Sequence, residues 1–534
     1  MIVMKFGGSS VGNSSRINSV ISILQNKIAN KENIAVVFSA FQTVTDTLIE
    51  IGNLALKRDS NYKVKLDSLK KLHHKVIDEL NIDYENVGLT KKISLLFIEL
   101  SEILHGVYLV KELTPKSLDY IVSFGEQLSC TIISKSMINR GIDCEYLNAS
   151  KIIKTDNDFG KARVNFKLTN KNISKYFKKH KKIQIITGFI SSTEETEITT
   201  LGRGGSDYTA ALIGAAIDAD AIEIWTDVDG ILTADPRKVA DAFSLKSVTY
   251  EEAMELSHFG AKVIYPPTML PVLEKKIKII IKNTFNPDGA GTIIVAKDKC
   301  ENISGTKSES KSKSKGHKKS KNENRDKLES GGGIDSQLQV SKLVGANSQC
   351  ISTHSLNLSE SNSSELFLSD PEEFFIKGIS SIDTVSLIRV QGSGMIGVSG
   401  IASRLFTALA LHKINIILIT QASSEHSICL AVMPEHGEKA KAILKNEFRL
   451  ELLDKIIGEI SVEDELSIIA VVGEKMRHSP GIAGKIFMAL GDQSININAI
   501  AQGSSELNIS LVISKKDLSK ALNAIHSRII KRFI

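Results

Sequence analysis

Two glycine-rich segments of the chain have the residue types of an anion-binding site. The first, Lys5-Phe6-Gly7-Gly8-Ser9-Ser10, follows a strand-like run and precedes a helical pattern. The second, Gly202-Arg203-Gly204-Gly205-Ser206-Asp207, opens an apolar helical run that continues to Ile217. Free amide N–H groups and the positive end of a helix dipole attract phosphate or carboxylate groups there. Because Lys5 and Arg203 add positive charge, the two segments together predict a site for anionic ligands.

Neither segment matches the nucleotide motifs of other large families. The chain contains no GxxxxGK[ST] loop and neither the His-Arg-Asp nor the Asp-Phe-Gly motif of protein kinases. A GxGxxG pattern does begin at Gly392, but the repeated segment that begins at Gly473 keeps only its first glycine. No acidic residue follows at the spacing that a ribose contact needs. We therefore expect no NAD binding. For the segment Gly202 to Asp207, the alternative to an anion site is a plain glycine turn followed by a capped helix.

The elements that must position these residues alternate between strand and helix across residues 1–297. Apolar strand-like runs cover 34–39, 183–187, 221–225 and 277–281, and the first three lead into polar loops. This alternation predicts an α/β fold with an open, mostly parallel sheet flanked by helices, in which ligands bind at the carboxyl ends of the strands. Glu126 is expected at the start of a helix at this edge, where a carboxylate is commonly a cap.

Composition limits the other classes of function. The five cysteines are scattered with no CxxC pair, so neither zinc nor a disulfide framework is expected. Much of the net charge of +6 comes from residues 307–329, which hold eight lysines and one arginine against four acidic residues. Residues 298–375 lose periodicity and predict a disordered linker or insertion, without the aromatic residues that would indicate nucleic-acid binding. No membrane span or targeting peptide is expected, and a cytoplasmic location fits.

Residues 376–534 contain an internal repeat with a constant offset of 81 residues. Gly392, Asn415 and Gln421 in the first copy correspond to Gly473, Asn496 and Gln502 in the second. Identities at one offset indicate two copies of one module, which we place at 376–462 and 463–534. Each copy has the pattern of a ferredoxin-like βαββαβ unit, so we expect two small α+β domains that bind a small ligand.

Taken together, these motifs resemble the aspartokinases of the amino-acid kinase family. The matching segments are Lys5–Val11, Gly202–Tyr208, Trp225–Gly230, Asp235–Arg237 and Phe259–Val263. The repeat is similar to the paired ACT regulatory domains of those enzymes. The resemblance implies transfer of the γ-phosphate of Mg-ATP to the side-chain carboxylate of L-aspartate, the first step in making lysine, threonine and methionine. That carboxylate is already ionised at pH 7, since its pKa is about 3.9, so the reaction needs charge neutralisation rather than a general base.

The resemblance also assigns roles to individual residues. It implies that Lys5, Asp207 and Lys262 are catalytic. The residues it places around the amino-acid substrate are Ser39, Thr45, Glu126, Phe189, Arg203 and Ser206, with Arg203 on the α-carboxylate and both Glu126 and Asp207 on the α-ammonium. Those it places on ATP are Lys5, Phe6, Gly7, Gly8, Ser9, Ser10, Thr226, Asp227, Asp229, Leu232, Asp235, Arg237 and Lys262. Mg²⁺ would be held mainly by the nucleotide, without a protein cage.

The resemblance implies feedback control through the repeat. Gln421 and Gln502, with Asn415 and Asn496, match a pattern of threonine-sensitive aspartokinases and their bifunctional relatives, so threonine is the expected effector and lysine the alternative. A homoserine dehydrogenase part is not expected in this chain. Paired ACT domains imply a homodimer or larger oligomer. The rival functions are a kinase for a different acid and an amino-acid sensor without catalytic activity.

Overall fold

A computed structural model describes residues 1–82, 88–260, 264–297, 376–421 and 426–530. Lys262 and the predicted linker at 298–375 lie outside the described residues. The fold class expected from the sequence is confirmed: a mostly parallel sheet flanked by helices is followed by two small α+β modules with antiparallel strands.

Strands and helices alternate through residues 1–297, as the sequence pattern predicts. The strands are β1 (Ile2–Phe6), β2 (Ile34–Phe38), β3 (Cys144–Leu147), β4 (Ile183–Thr187), β5 (Ile190–Ser192), β6 (Ile198–Thr200), β7 (Ala221–Thr226), β8 (Ser247–Thr249), β9 (Lys278–Asn283) and β10 (Thr292–Val295). The helices are α1 (Ser14–Ala29), α2 (Val44–Leu56), α3 (Asn61–Glu79), α4 (Leu89–Val110), α5 (Pro115–Asn139), α6 (Phe166–Lys179), α7 (Gly205–Ala216), α8 (Tyr250–His258) and α9 (Leu270–Leu273). Short 3-10 helices cover Gly8–Val11, Ala149–Lys151 and Pro266–Met269.

The large sheet brings the predicted loops to one edge. Its strand order is β3-β4-β2-β1-β7-β9-β10-β8, and the pairs from β3 through β9 are all parallel. In register, Phe6 at the end of β1 lies beside Phe38 of β2 and Trp225 of β7. Thr187 of β4 lies next to Phe38 in turn. The loops that leave these four strands therefore start side by side, which is where a doubly covered α/β sheet binds its ligands.

Continuous apolar strands and capped helices explain this architecture. All five residues of β2 are buried, as expected for a parallel strand with helices on both faces. Along β1, Val3 packs into the core on one face of the sheet and Met4 into the core on the other. Helix α1 begins where the Asn13 side chain accepts a hydrogen bond from the backbone N–H of Arg16.

Two elements differ from the sequence expectations. Glu126 does not start a helix but lies in the middle of α5, because the segment before it is helical as well. In addition, α4 is by length and composition apolar enough to cross a membrane, although no apolar segment of that kind was expected. Its Ile93, Leu100 and Leu104 side chains are completely buried in the core beside β1 and β2. We therefore interpret α4 as a core helix.

The second part of the chain forms one six-stranded sheet with helices packed on it. Its strands are β11 (Gly378–Gln391), β12 (Leu418–Gln421), β13 (Ser427–Val432), β14 (Glu459–Val472), β15 (Ile497–Gln502) and β16 (Asn508–Ser514). Its helices are α10 (Ile401–Leu411), α11 (Gly437–Glu447), α12 (Arg449–Leu453), α13 (Ile482–Gly491) and α14 (Leu518–Ile525). Short 3-10 helices cover Ser393–Met395, Pro434–His436, Glu474–Met476 and Lys515–Asp517, and a π-helix covers His526–Ile530.

Two long strands are shared between the modules. The strand order is β12-β13-β11-β14-β16-β15, all antiparallel. The carboxyl half of β11 pairs with β13 and with residues 459–463 of β14, whereas its amino half pairs with residues 468–472 of β14. The register shifts between these halves, at Ile382 to Leu387. Each module is therefore a four-stranded sheet that contains one half of β11 and one half of β14. The module boundary predicted at 462/463 falls inside β14.

Candidate active site

A cavity of about 380 Å³ lies at the carboxyl edge of the large sheet. Both predicted glycine segments contribute to its wall, together with the loop after β2 and one face of α5. Its lining residues are Lys5, Gly8, Ser9, Ser39, Ala40, Phe41, Gln42, Thr43, Thr45, Asp46, Glu126, Phe189, Gly202, Gly204, Gly205, Ser206 and Asp207. Segments that are 200 residues apart in the sequence therefore meet around one small space.

Lys5 and Asp207 form an ion pair in the wall of this cavity. The Lys5 Nζ atom lies 2.7 Å from Asp207 Oδ1, and each side chain is only 12% exposed. The pair has the distance of an ion pair but not the geometry of a hydrogen bond, since Oδ1 has no hydrogen-bond partner among the described residues. Asp207 lies in the first turn of α7, where the helix dipole favours a carboxylate. The pair thus places a cation of fixed position beside the cavity.

Glu126 brings a second carboxyl group into the cavity from α5. Its Oε1 atom accepts a hydrogen bond of 3.2 Å from the backbone N–H of Ala40, whereas its buried Oε2 atom has no partner among the described residues. Burial raises the pKa of Glu126 to about 8, against a smaller lowering by the Ala40 N–H. A buried carboxyl oxygen without a partner, facing a cavity, is suited to a ligand that brings a positive charge or a donor.

Hydrogen bonds involve several of the other cavity residues that were expected to bind the amino-acid substrate. Ser39 Oγ donates a hydrogen bond of 2.9 Å to Ser206 Oγ, which links the loop after β2 to the start of α7. Phe189 has a φ of 66°, a conformation that is rare for an aromatic residue, and its N–H donates to Thr209 Oγ1 at 3.1 Å. Strained backbone of this kind clusters at ligand sites. Thr45 completes this side of the wall.

The second glycine segment needs its glycines for different reasons. Gly202 and Gly204 both have a φ of 70°, which favours glycine. A Cβ atom on Gly202 would meet no neighbour within 4 Å, whereas one on Gly204 would lie 2.8 Å from Tyr265 Cβ. The backbone conformation alone therefore selects glycine at position 202, and the conformation and a close approach together select it at position 204.

Gly202→Ala and Gly204→Ala form a matched pair of substitutions at these positions. Gly202→Ala should cost about 1–2 kcal/mol of unfolding free energy, because it adds only the left-handed penalty. Gly204→Ala should cost roughly 1–3 kcal/mol more, since the methyl group also overlaps Tyr265. Urea unfolding of both variants measures the difference. Equal losses would show that the Tyr265 contact relaxes without cost.

The first glycine segment divides into residues that face the cavity and residues that support it. Lys5, Gly8 and Ser9 line the cavity. A Cβ atom on Gly8 would lie 3.0 Å from the Ala40 carbonyl oxygen, and one on Gly7 would lie 3.5 Å from Lys5 Nζ. The close approach to Ala40 selects glycine at position 8, and the binding of a phosphate chain by this loop stays a prediction.

Phe6 and Ser10, which were expected to contact ATP, instead lie under the loop. Phe6 is completely buried between Phe38 and Trp225, with ring centroids 5.5 and 5.6 Å away. Ser10 is buried and shares a hydrogen bond of 2.7 Å with Thr284. Their side chains therefore support the phosphate loop rather than face the cavity, and any contact with the nucleotide would be through the backbone.

Arg203 does not line the cavity in this structure. Its side chain is exposed, and its guanidinium carbon lies 5.8 Å above the ring of Tyr265. The expected contact with a substrate carboxylate therefore requires Arg203 to turn away from Tyr265. That role stays a prediction.

The residues expected to bind the nucleotide follow β7 in a separate segment. Asp229 Oδ1 accepts hydrogen bonds from the side-chain amides of Asn283 and Asn286, at 3.0 and 3.1 Å. Asp235 and Arg237 form a two-pronged ion pair, and this hydrogen bonding lowers the pKa of Asp235 and raises that of Arg237.

The other members of this segment lie nearer the sheet. Thr226 ends β7, and its hydroxyl donates to exposed Asp227. Leu232, at an isolated bridge to Ser244, is half-buried. None of these residues lines the cavity, so the segment would hold a part of the nucleotide that lies outside it.

The predicted effector residues lie on the outer strands of the second sheet. Gln421 and Gln502 end β12 and β15, and both are exposed, as are Asn415 and Asn496. Although β12 and β15 are at opposite ends of the strand order, they lie next to each other in space. The four residues do not line the cavity at the edge of the large sheet.

The second module contacts the nucleotide segment directly. Thr233 Oγ1 lies 3.0 Å from Nε2 of the buried His526. The Thr233 carbonyl accepts a hydrogen bond from the N–H of Ile379. The carbonyl of Lys238 accepts from the Asn523 side chain at 2.9 Å. These contacts lie next to residues expected to bind ATP, and no motif in the sequence indicates them.

A further carboxylate joins the two parts. Glu252 is completely buried in α8, and its Oε1 atom accepts a hydrogen bond of 2.8 Å from the N–H of Glu474. Its Oε2 atom closes a capping box with Thr249. The glycine loop of the second module is thus bonded to the helix that follows β8.

Sequence reasoning also missed residues of the cavity itself. Gln42, Thr43 and Asp46 line the wall, although they match no motif. Only their position after a buried strand could have indicated them. Among the described residues, no group of three or more His, Cys, Asp or Glu side chains is arranged to hold a metal ion.

Comparison with known proteins agrees with this architecture. The sequence profile of the amino acid kinase family matches residues 1–283, and that of the ACT domain matches residues 388–448 and 469–529. The bifunctional aspartokinase/homoserine dehydrogenase 1 of Arabidopsis thaliana is 33% identical over 528 residues. That alignment covers 98% of this chain and 50% of the relative, so the chain spans about half the length of such bifunctional proteins.

A shorter relative matches almost throughout. The aspartokinase of Candida albicans is 30% identical over 547 residues, which cover 99% of this chain and 90% of the relative. The crystal structure of E. coli aspartokinase III in complex with aspartate and ADP has a TM-score of 0.72 at 22% identity and covers 99% of this chain and 100% of that one. The chain therefore belongs to the amino acid kinase family and, within it, to the aspartokinases.

Proposed function

We propose that this protein is an aspartate kinase that transfers the γ-phosphate of ATP to the side-chain carboxylate of L-aspartate. The observation that carries the proposal is the joint position of Lys5, Asp207 and Glu126 around one cavity. A cation of fixed position serves the phosphates, while a buried carboxyl oxygen that has no partner among the described residues serves an ammonium group. An acidic amino acid beside ATP needs both.

Phosphoryl transfer to a carboxylate depends on position and charge rather than on proton removal. Lys5 would neutralise the oxygens of the transferring phosphate, and Asp207 would hold the Lys5 ammonium in place from the start of α7. The N–H groups of Gly8 and Ser9 would bind the phosphate chain, because the Gly7 N–H already donates to the Trp225 carbonyl. Mg²⁺ held by the nucleotide would add charge neutralisation there. Lys262 is proposed to lie along the same phosphates.

The remaining residues would hold the amino acid. Glu126 would receive the α-ammonium group, and Arg203 would bind the α-carboxylate after turning from Tyr265. The other residues of the pocket wall would be Ser39, Thr45, Phe189 and Ser206. Together they would set the acceptor oxygen in line with the γ-phosphate.

Trapping of the product tests this function directly. Full-length protein is incubated with Mg-ATP, aspartate and hydroxylamine, and the hydroxamate formed from the acyl phosphate is measured. We expect hydroxamate with aspartate and not with glutamate or acetylglutamate. Hydroxamate only with another acid would favour a different amino-acid kinase, and threonine binding without any turnover would favour a sensor.

We further propose that an end-product amino acid inhibits the enzyme through the ACT modules, with threonine favoured and lysine the alternative. The support is the repeated Gln421 and Gln502 on neighbouring edge strands, together with the contacts of His526 and Asn523 with the nucleotide segment. An effector that shifts these contacts by about 1–3 kcal/mol would change activity 5- to 150-fold. Exposed edge strands also suit pairing between subunits, so we propose a homodimer or larger oligomer in the cytoplasm.

Gln421→Ala and Gln502→Ala should separate inhibition from catalysis. Each is expected to keep wild-type turnover and to raise the threonine concentration that gives half inhibition, because neither residue lies at the cavity. Steady-state assays with and without threonine or lysine measure both properties. Gln493→Ala, also exposed but outside the repeated turn, is the control. Equal loss of turnover and inhibition would contradict this separation of roles.

A further inference from the structure

Asp119 is a buried carboxylate that no motif in the sequence indicates. It lies on α5 and is 3% exposed. Its Oδ2 atom accepts hydrogen bonds from the N–H groups of Gly160 at 2.9 Å and Thr200 at 3.2 Å, and its Oδ1 atom accepts from the Thr200 hydroxyl at 2.7 Å. Burial raises the pKa of Asp119, while these three donors oppose the rise. The carboxylate is thus occupied by protein groups and does not line the cavity.

One partner of Asp119, Thr200, connects it to the cavity by a short path. Thr200 is the last residue of β6 and leads directly into the loop from Gly202 to Asp207. The next residue, Leu201, donates its N–H to the carbonyl of Phe189, another residue near the substrate side. The position of Thr200 therefore determines where this loop begins.

The same helix carries Glu126 to the other side of the cavity. Glu126 follows Asp119 by seven positions, which is close to two helical turns, so both lie on one face of α5. One end of this face is bonded to Thr200, and the other presents a carboxyl group to the cavity. A single rigid helix thus connects the two walls between which the substrate would bind.

We propose that Asp119 is a positioning residue that fixes the loop from Gly202 to Asp207 relative to Glu126. This inference rests on the proposed function and deepens it, because it names the group that sets the width of the amino-acid pocket. A shift of α5 or of the loop would move Glu126 away from Asp207 and Ser206. Aspartate binding would then suffer more than ATP binding, since α5 contributes only Glu126 to the cavity and none of the residues expected to bind ATP.

Thr200→Val and Thr200→Ser give a matched test of this proposal. Valine keeps the shape of threonine but removes the donor to Asp119 Oδ1, whereas serine keeps the hydroxyl. We expect Thr200→Val to raise KM for aspartate about tenfold or more, with KM for ATP within about twofold of wild type. Thr200→Ser should restore the KM for aspartate. Thr169→Val is the control, because Thr169 is equally buried and hydrogen-bonded but lies on α6, away from the cavity.

The outcomes separate a positioning role from a merely structural one. A lower melting temperature with unchanged KM values in Thr200→Val would overturn the proposal, because the hydrogen bond would then serve stability alone. An equal rise in both KM values would also overturn it. If Thr200→Val gives no soluble protein, Asp119→Asn is measured in the same way, and the same selective rise in KM for aspartate is expected, because an NH2 group in place of Oδ2 cannot accept from the N–H groups of Gly160 and Thr200. Turnover of aspartate by the wild-type protein is measured first. If the wild type shows none, the proposed function itself is refuted.

Discussion

Lys5→Met is expected to reduce aspartyl-phosphate formation by a factor on the order of 10³ while leaving the fold in place. Methionine keeps most of the side-chain volume but removes the ammonium group that lies 2.7 Å from Asp207. The transferring phosphate then loses a cation of fixed position, and the Asp207 carboxylate loses the counter-charge of Lys5. Hydroxamate formation with saturating ATP and aspartate measures the loss.

A matched lysine controls for the removal of a partly buried charge. Lys27 is 19% exposed and pairs with the buried Glu223, whose other oxygen accepts from the indole N–H of Trp225. Lys27→Met should therefore lower the melting temperature but keep turnover, because this network lies outside the cavity. If Lys5→Met kept more than about a tenth of wild-type turnover, Lys5 could not hold the phosphate in the way proposed.

The second large effect concerns Glu126 and pH. Burial raises the pKa of Glu126 to about 8, so the empty site holds a neutral carboxyl group at pH 7. A substrate ammonium group requires the ionised form, and aspartate binding should therefore release a proton. Below pH 8, kcat/KM for aspartate is expected to rise about tenfold per pH unit and then to level off. A rate profile from pH 6 to 9 measures this slope.

Glu126→Gln should remove both the slope and most of the activity. Glutamine is neutral at every pH, so kcat/KM for aspartate is expected to be flat and at least a hundredfold below the wild-type plateau. Glu252→Gln is the control, since Glu252 is also fully buried but its oxygens accept backbone N–H bonds outside the cavity. A wild-type profile that is flat between pH 6 and 8 would refute the role of Glu126.

The raised pKa of Glu126 also predicts how the free energy of unfolding changes with pH. The folded-state pKa of Glu126 lies above the ordinary value of 4.5, so the folded protein binds more protons than the unfolded chain between these values. The free energy of unfolding should therefore fall as pH rises from about 4.5 to 8. Glu126→Gln should lose this decline and be more stable than wild type near pH 8.

Sequence patterns predicted strands that are buried on both faces and helices that begin at a capping residue. The apolar run at 34–39 forms the strand Ile34–Phe38, and a helix follows the first glycine segment as predicted, because a continuous apolar run and the Asn13 cap leave few alternatives. The pattern failed around Glu126. Gly125 interrupts the apolar periodicity there, yet it lies inside α5, and glycine is needed at this position because a Cβ atom would lie 2.8 Å from Ala40 Cβ. That contact comes from tertiary structure and leaves no local signal.

The site was predictable in its charged residues but not in their arrangement. Lys5 and Asp207 belong to recognisable motifs, but only the folded sheet shows that they touch. Asp119 has no motif at all, since its partners are 41 and 81 residues away. Arg203 was identified by its motif, yet its side chain lies on Tyr265, and a sequence pattern does not encode the rotamer of an exposed arginine.

The strands β11 and β14 make the regulatory modules inseparable. A chain cut after residue 462 would lose residues 468–472, and the amino half of β11 would then have no strand to pair with. Apolar residues such as Ile379 would be left at an open edge of the kind that drives aggregation. Calorimetry should accordingly record the melting of both modules as one cooperative transition, although the repeat suggests two independent ones.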